Sequence, residues 1–119
     1  MYLLDSNILI YYLNGDKNVI SFVENIEDKP FISVVSVTEL LAKPSLSQSE
    51  LAFIDAFLQK FSVLDIDFYG AREAAYLKRS YRLTFPDALI AATAKVFHLT
   101  LISRDKIFKK IPEIKAFYP

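Results

Sequence analysis

A chain of 119 residues has the usual length of one domain and suffices to close a hydrophobic core. Its 53% hydrophobic content, with only 2 Gly and 5 Pro, excludes a disordered or low-complexity chain, and 14 basic residues cancelling 14 acidic ones exclude a broad electrostatic grip on long nucleic acid. Without cysteine there is no disulfide scaffold or thiolate metal site, and with His98 as the single histidine any metal chemistry falls to oxygen ligands.

In chain order, the start has no basic region ahead of an apolar stretch and no small-residue cleavage site, and no apolar run approaches a bilayer span, so a soluble cytoplasmic protein is expected. Tyr2 to Leu4 predict a short buried strand, and Ile8 to Leu13 a helix ending at the turn Asn14-Gly15-Asp16. A second helix over Val19 to Ile26 leads through Asp28-Lys29-Pro30 into the β-branched strand Phe31 to Val35. Helix follows from Val37 to Ala42, broken by Lys43-Pro44-Ser45. Ser47 and Glu50 then have capping-box spacing ahead of the amphipathic LAFIDAFLQKF. Ser62 to Ile66 read as a third strand, and Tyr69 to Tyr81 as a helix whose basic face carries Arg72, Lys78 and Arg79. Thr84-Phe85-Pro86-Asp87 opens ALIAATAKVF, a helix of small residues suited to close packing on a sheet. Leu99 to Ile102 give a fourth strand, Asp105 to Phe108 a short helix, and Ile114 to Phe117 an edge strand. This alternation means α/β, with a mostly parallel sheet of four to five strands and residues 1–119 as one domain.

Four acids share one local setting: Asp5 in LLDSN, Glu39 in SVVSVTELL, Asp87 in LTFPDALIAA and Asp105 in LISRDKIF. Each follows a strand or opens a helix, and such junctions gather on the carboxyl edge of an open α/β sheet. Helix capping explains any one of them, since Ser36 to Glu39 and Thr84 to Asp87 also have capping-box spacing and Ser103 is placed to cap the helix at Asp105. Capping explains all four less well, because like charges about 5 Å apart repel by roughly 3 kcal/mol per pair at an effective dielectric near 20. Bound Mg²⁺ or Mn²⁺ removes that repulsion, accepts hard oxygen ligands and activates water against a phosphodiester.

Ser6, Asn7 and Ser103 flank these acids and can orient a carboxylate or a metal-bound water, or serve as caps. Arg104, Lys106, Lys109 and Lys110 form the densest basic patch, suited to phosphates of a short single strand or to a solvated helix face. Asp16 reads as a turn residue, and Glu24, Glu27 and Asp28 as a charged helix end. Asp65 and Asp67 straddle the end of the third strand as turn or cap residues, and His98 fits a helix-end contact.

Together LLDSNILIYYL, SVVSVTELL, PDALIAATA and LISRDKIF resemble, in order and over almost the whole chain, the motifs of PIN-domain ribonucleases, in particular VapC-type toxins of toxin-antitoxin pairs. The resemblance implies a three-layer α/β/α sandwich and Mg²⁺- or Mn²⁺-dependent cleavage of RNA with 5′-phosphate and 3′-hydroxyl products. It also implies metal-site acids at Asp5, Glu39, Asp87 and Asp105, a homodimer, and a cognate antitoxin whose tail enters the site. AKPSLS departs from the glycine-containing segment common after the Glu motif. Two other classes compete: an inert binding module of the same fold, and a phosphoaspartate protein. Ser6 and Asn7 after Asp5 speak against the latter, because a haloacid-dehalogenase-type phosphatase needs a second Asp two positions on.

Overall fold

Leu3 and Leu4 are consecutive and both fully buried, which in a strand requires cover on both faces. The computed structural model, which describes Met1 to Pro119, supplies that cover. Its elements are β1 (Tyr2–Leu4), α1 (Ser6–Leu13), α2 (Lys17–Glu24), β2 (Phe31–Ser33), α3 (Val34–Leu41), α4 (Gln48–Leu58), β3 (Ser62–Leu64), α5 (Phe68–Tyr81), α6 (Phe85–Val96), β4 (Thr100–Ile102), a 3₁₀ helix (Lys106–Lys110) and β5 (Lys115–Phe117). The strands form one parallel sheet in the order β3-β2-β1-β4-β5, with Leu3 opposite Leu101 and Leu4 opposite Ile102.

Strand alternation divides the core into two layers. Leu3 and Leu101 pack with Ala74 and Leu77 of α5 and with Ala88, Ala91, Ala92 and Ala94 of α6. Leu4, Ile32 and Ile102 face the other way onto Ile8 and Leu9 of α1, Val19 of α2 and Ile54, Phe57 and Leu58 of α4. The small side chains of α6 let its backbone lie close to the central strands, as its composition predicts. The result is the expected α/β/α arrangement, with five strands and every pairing parallel.

Several boundaries differ from the sequence reading, each for a local reason. The β-branched run ends as strand at Ser33, whose Oγ accepts the Val35 N–H at 3.1 Å, so Val34 and Val35 are helical despite their propensity. Ser33, not Ser36, therefore caps α3. β3 stops at Leu64 because Asp67 caps α5, its Oδ1 accepting the Gly70 N–H at 2.8 Å. α1 begins at Ser6 rather than Ile8, and α2 spans Lys17–Glu24 because Asp16 accepts the N–H groups of Asn18 and Val19. The Ser47–Glu50 capping box forms with both of its bonds. His98 takes a left-handed conformation (φ 55°) that closes α6, with the Leu99 N–H returning to the Ala94 carbonyl. No helix is long and apolar enough to cross a membrane.

From β1 the chain moves outward through β2 and β3, then returns to β4 on the other side of β1. The sheet thus has its topological switch point between the carboxyl ends of β1 and β4, where the connections part and leave a crevice.

Candidate active site

Asp5 is the first residue beyond β1. Its N–H bonds the Ile102 carbonyl at 2.9 Å, which extends the β1–β4 ladder and fixes the residue at the switch point. Its side chain is only 7% exposed, with Oδ1 accepting the Ser6 N–H and Oδ2 the Ser103 hydroxyl, each at 2.8 Å. Asp5 occupies the N-cap of α1, but an ordinary cap bonds the second or third helical N–H, whereas this one bonds the first. No cation is paired with it. Burial pushes its pKa up to about 6, with Asp87 and Glu39 adding to the rise and the Ser103 and Ser6 bonds opposing it.

The other acids arrive from three elements. Glu39, exposed on α3, accepts a hydrogen bond from Ser6 Oγ at 2.6 Å, and Ser36 Oγ lies 2.9 Å from the same hydroxyl. Asp87 is half-buried in the first turn of α6, where Thr84 Oγ1 caps its N–H at 3.3 Å. Its pKa is raised mainly by burial and further by Asp105 and Glu39, against the Thr84 bond. Asp105 is exposed after β4, accepts the Ile107 N–H at 3.0 Å as the cap of the 3₁₀ helix, and donates its own N–H to Ser103 Oγ at 3.0 Å. Ser103 therefore touches both Asp5 and Asp105. Asp87 and Glu39 lie within the electrostatic field of Asp5, and Asp105 and Glu39 within that of Asp87, although no three acids stand in a chelating arrangement.

The flanking polar residues are linked. Asn7 Nδ2 donates to Ser103 Oγ at 3.3 Å, and its Oδ1 accepts the Arg104 N–H at 3.4 Å. The Arg104 guanidinium grips Asp16 with both terminal nitrogens, at 2.7 and 3.3 Å, while its Nε donates to the Pro119 carbonyl at 3.3 Å. It also lies 4.7 Å from the Tyr11 ring centroid. Arg104 is thus committed to a clasp between α2 and the turn after β4. Lys106, Lys109 and Lys110 remain as the exposed cations of that patch, Lys109 lying over the Tyr118 ring. The sequence reading missed Ser36 as a partner of Ser6 and Asp16 as a partner of Arg104. Asp16 ahead of an apolar helix signals a cap, but nothing local announces a pairing across 88 positions.

Charge and donor type fit a hard divalent cation. Every candidate ligand is oxygen, and Asp5 is a buried carboxylate with neutral partners that faces two further acids rather than a base. A groove of about 600 Å³ is lined by Glu39 together with Ile10, Leu13, Lys43, Phe53 and Ile54. The larger cavity, about 730 Å³, lies among Tyr2, Phe22, Asn25, Asp28 and Thr100 at the amino-terminal edge and includes none of the four acids.

Residues 2–114 match the family model described as PIN domain. A curated relative, Ribonuclease VapC2 of Methanocaldococcus jannaschii, is 27% identical over 128 aligned residues, covering 90% of this chain and 86% of its own. Among solved structures, a toxin-antitoxin complex from Klebsiella pneumoniae superposes with a TM-score of 0.85 at 28% identity, covering 96% of this chain and 95% of the other. VapBC2 from Rickettsia felis, bound to a DNA fragment from its promoter, superposes with a TM-score of 0.87 at 22% identity, covering 99% and 98%. At that identity the second likeness speaks for the fold alone.

Proposed function

Because the chain belongs to the PIN-domain family, we propose that it is a Mg²⁺- or Mn²⁺-dependent endoribonuclease, the toxin of a toxin-antitoxin pair, with the whole of 1–119 as one nuclease domain. The observation that carries this reading is Asp5: a carboxylate buried at the switch point, with neutral donors, and facing Asp87 and Glu39. A structural cap needs neither the burial nor the neighbouring acids. The relative named a ribonuclease supports the activity, and the toxin-antitoxin complex from Klebsiella pneumoniae supports the setting.

In this reading Asp5 and Asp87 are the principal ligands, Glu39 completes the site or positions the attacking water, and Asp105 binds a second ion or a hydrated shell. When bound, the ion supplies Lewis acidity for phosphodiester hydrolysis. Ser103 holds Asp5 Oδ2 in place and Ser6 holds Glu39, so their hydroxyls fix the two carboxylates against rotation. Asn7 braces Ser103. Lys106, Lys109 and Lys110 supply cations for RNA phosphates beside Asp105.

The groove beside Glu39 supports an antitoxin partner that lays apolar side chains against Ile10 and Phe53 and directs a cation toward the acids. A homodimer and a cytoplasmic setting belong to the same proposal. The exposed Phe68, Tyr69 and Tyr76 of α5 have the aromatic character of a self-association surface.

Incubating purified protein with RNA and Mn²⁺ tests the activity, with Asp5→Asn as the control. Cleavage leaving 5′-phosphate ends, lost in the variant, is expected. Cleavage that survives both Asp5→Asn and chelation would exclude the assignment, and stoichiometric metal binding without turnover would instead indicate an inert binding module.

A further inference from the structure

Four carboxylates repel a polyanion, so an RNA-cleaving site needs cations and stacking surfaces at its margin. The basic face of α5 lies outside the acidic site. α5 ends at Tyr81 and α6 begins at Phe85, so the short turn between them brings Lys78, Arg79 and Arg82 close to the end of α6 that carries Asp87. The molecule contains two ion pairs, Lys95–Glu73 and Arg104–Asp16, which leaves Lys78, Arg79 and Arg82 without an acid opposite them.

Phe85 is the first residue of α6, two positions before Asp87, and is 72% exposed. The cap of this helix is made by Thr84, and the core contacts of its first turn by Ala88, so Phe85 serves neither. The Lys78 ammonium lies 4.8 Å from the centroid of its ring. With the unpaired Lys78 over one face of the ring, the other face of this largely exposed Phe85, on the helix turn that also carries Asp87, has the character of a single-strand stacking platform.

We propose that Phe85 and Lys78 form a substrate subsite for single-stranded RNA, in which a base next to the scissile phosphate stacks on Phe85 and Lys78 holds a flanking phosphate. Arg82, at the left-handed end of α5, and Arg79 extend the positive margin. This rests on the ribonuclease reading for its ligand, but its residues are none of the acids.

Affinity measured in EDTA separates binding from cleavage. The probe is a fluorescein-labelled, randomised single-stranded RNA of about 12 nucleotides, long enough to fill a typical single-strand site. Phe85→Ala is expected to weaken binding about 5- to 100-fold, with Phe85→Trp restoring it and the melting temperature unchanged. Lys78→Gln is expected to weaken binding and to lower the slope of log affinity against log salt by about 1. With Mn²⁺, Phe85→Ala should raise KM and spare kcat. Unchanged affinity in Phe85→Ala, no binding by the wild type, or a change of oligomeric state in place of a change in RNA affinity would each overturn the subsite. Cleavage that persists while binding is indifferent to Phe85 would defeat the subsite alone. Phe85-dependent binding without cleavage under Mn²⁺ would defeat the ribonuclease reading alone.

Discussion

Asp5 and Asp105 follow neighbouring strands, β1 and β4, and both cap the helix after them, yet one is buried and the other exposed. Asp5 directly follows β1 and extends its ladder with β4, whereas Asp105 comes three residues after the end of β4, beyond the buried Ser103. The same local motif therefore yields a carboxylate with a strongly raised pKa in one place and a solvated helix cap in the other. Position on the sheet, rather than the identity of the acid, decides which of them is buried with a raised pKa.

The largest consequence of this contrast concerns activity. Asp5→Asn should lower the rate of RNA cleavage by at least about 100-fold, the scale on which a positioned ionised group contributes to such chemistry. Asp105→Asn should cost only about 10-fold. Equal losses in single-turnover assays would erase the distinction between the inner and the outer acid.

The same burial has a converse effect on stability without metal. Asp5 binds its proton more tightly folded than unfolded, so metal-free protein loses stability as the pH rises from about 4 through about 6, and the loss is complete above that. Asp5→Asn removes this cost and should stabilise the chelated protein at neutral pH by about 1 to 3 kcal/mol, read from denaturant unfolding. At pH 4 the advantage should disappear. A variant that is less stable than wild type at pH 7.5 in EDTA would mean that Asp5 is foremost a helix cap.

Ser103 links the two acids and ranks next. Ser103→Ala removes the hydroxyl bond to Asp5 and should reduce Mn²⁺ affinity about 10- to 100-fold, measured by calorimetry. Arg104→Gln should have the smallest effect on function, because the guanidinium is already held by Asp16. We expect a lower melting temperature with RNA affinity nearly unchanged, while Lys106→Gln and Lys110→Gln weaken RNA binding. A large loss of RNA affinity in Arg104→Gln, as filter binding would show, would return Arg104 to the RNA surface.

The order of elements and the parallel sheet follow from the alternation of apolar runs in this chain, and the acids at strand ends were visible for the same reason. What the sequence did not disclose was depth. Asp5, Glu39, Asp87 and Asp105 look alike as helix-opening acids, and the burial that sets Asp5 apart emerges only when β1 and β4 pair and Ser103 comes to bond it. Val34 and Val35 show a related limit, because strand propensity gave way to the cap formed by Ser33. Arg104 shows another: next to three lysines it reads as one more free cation, and its pairing with Asp16 exists only through the tertiary fold.

Crystals soaked in Mn²⁺ and measured at the manganese absorption edge bear on the whole argument at once. An anomalous peak is expected at the switch point, with carboxylate oxygens of Asp5 and Asp87 within about 2.3 Å of it, as a hard divalent ion requires. A peak bound by Asp105 without Asp5, or no peak at an Asp5 carboxylate in protein that cleaves RNA, would contradict it.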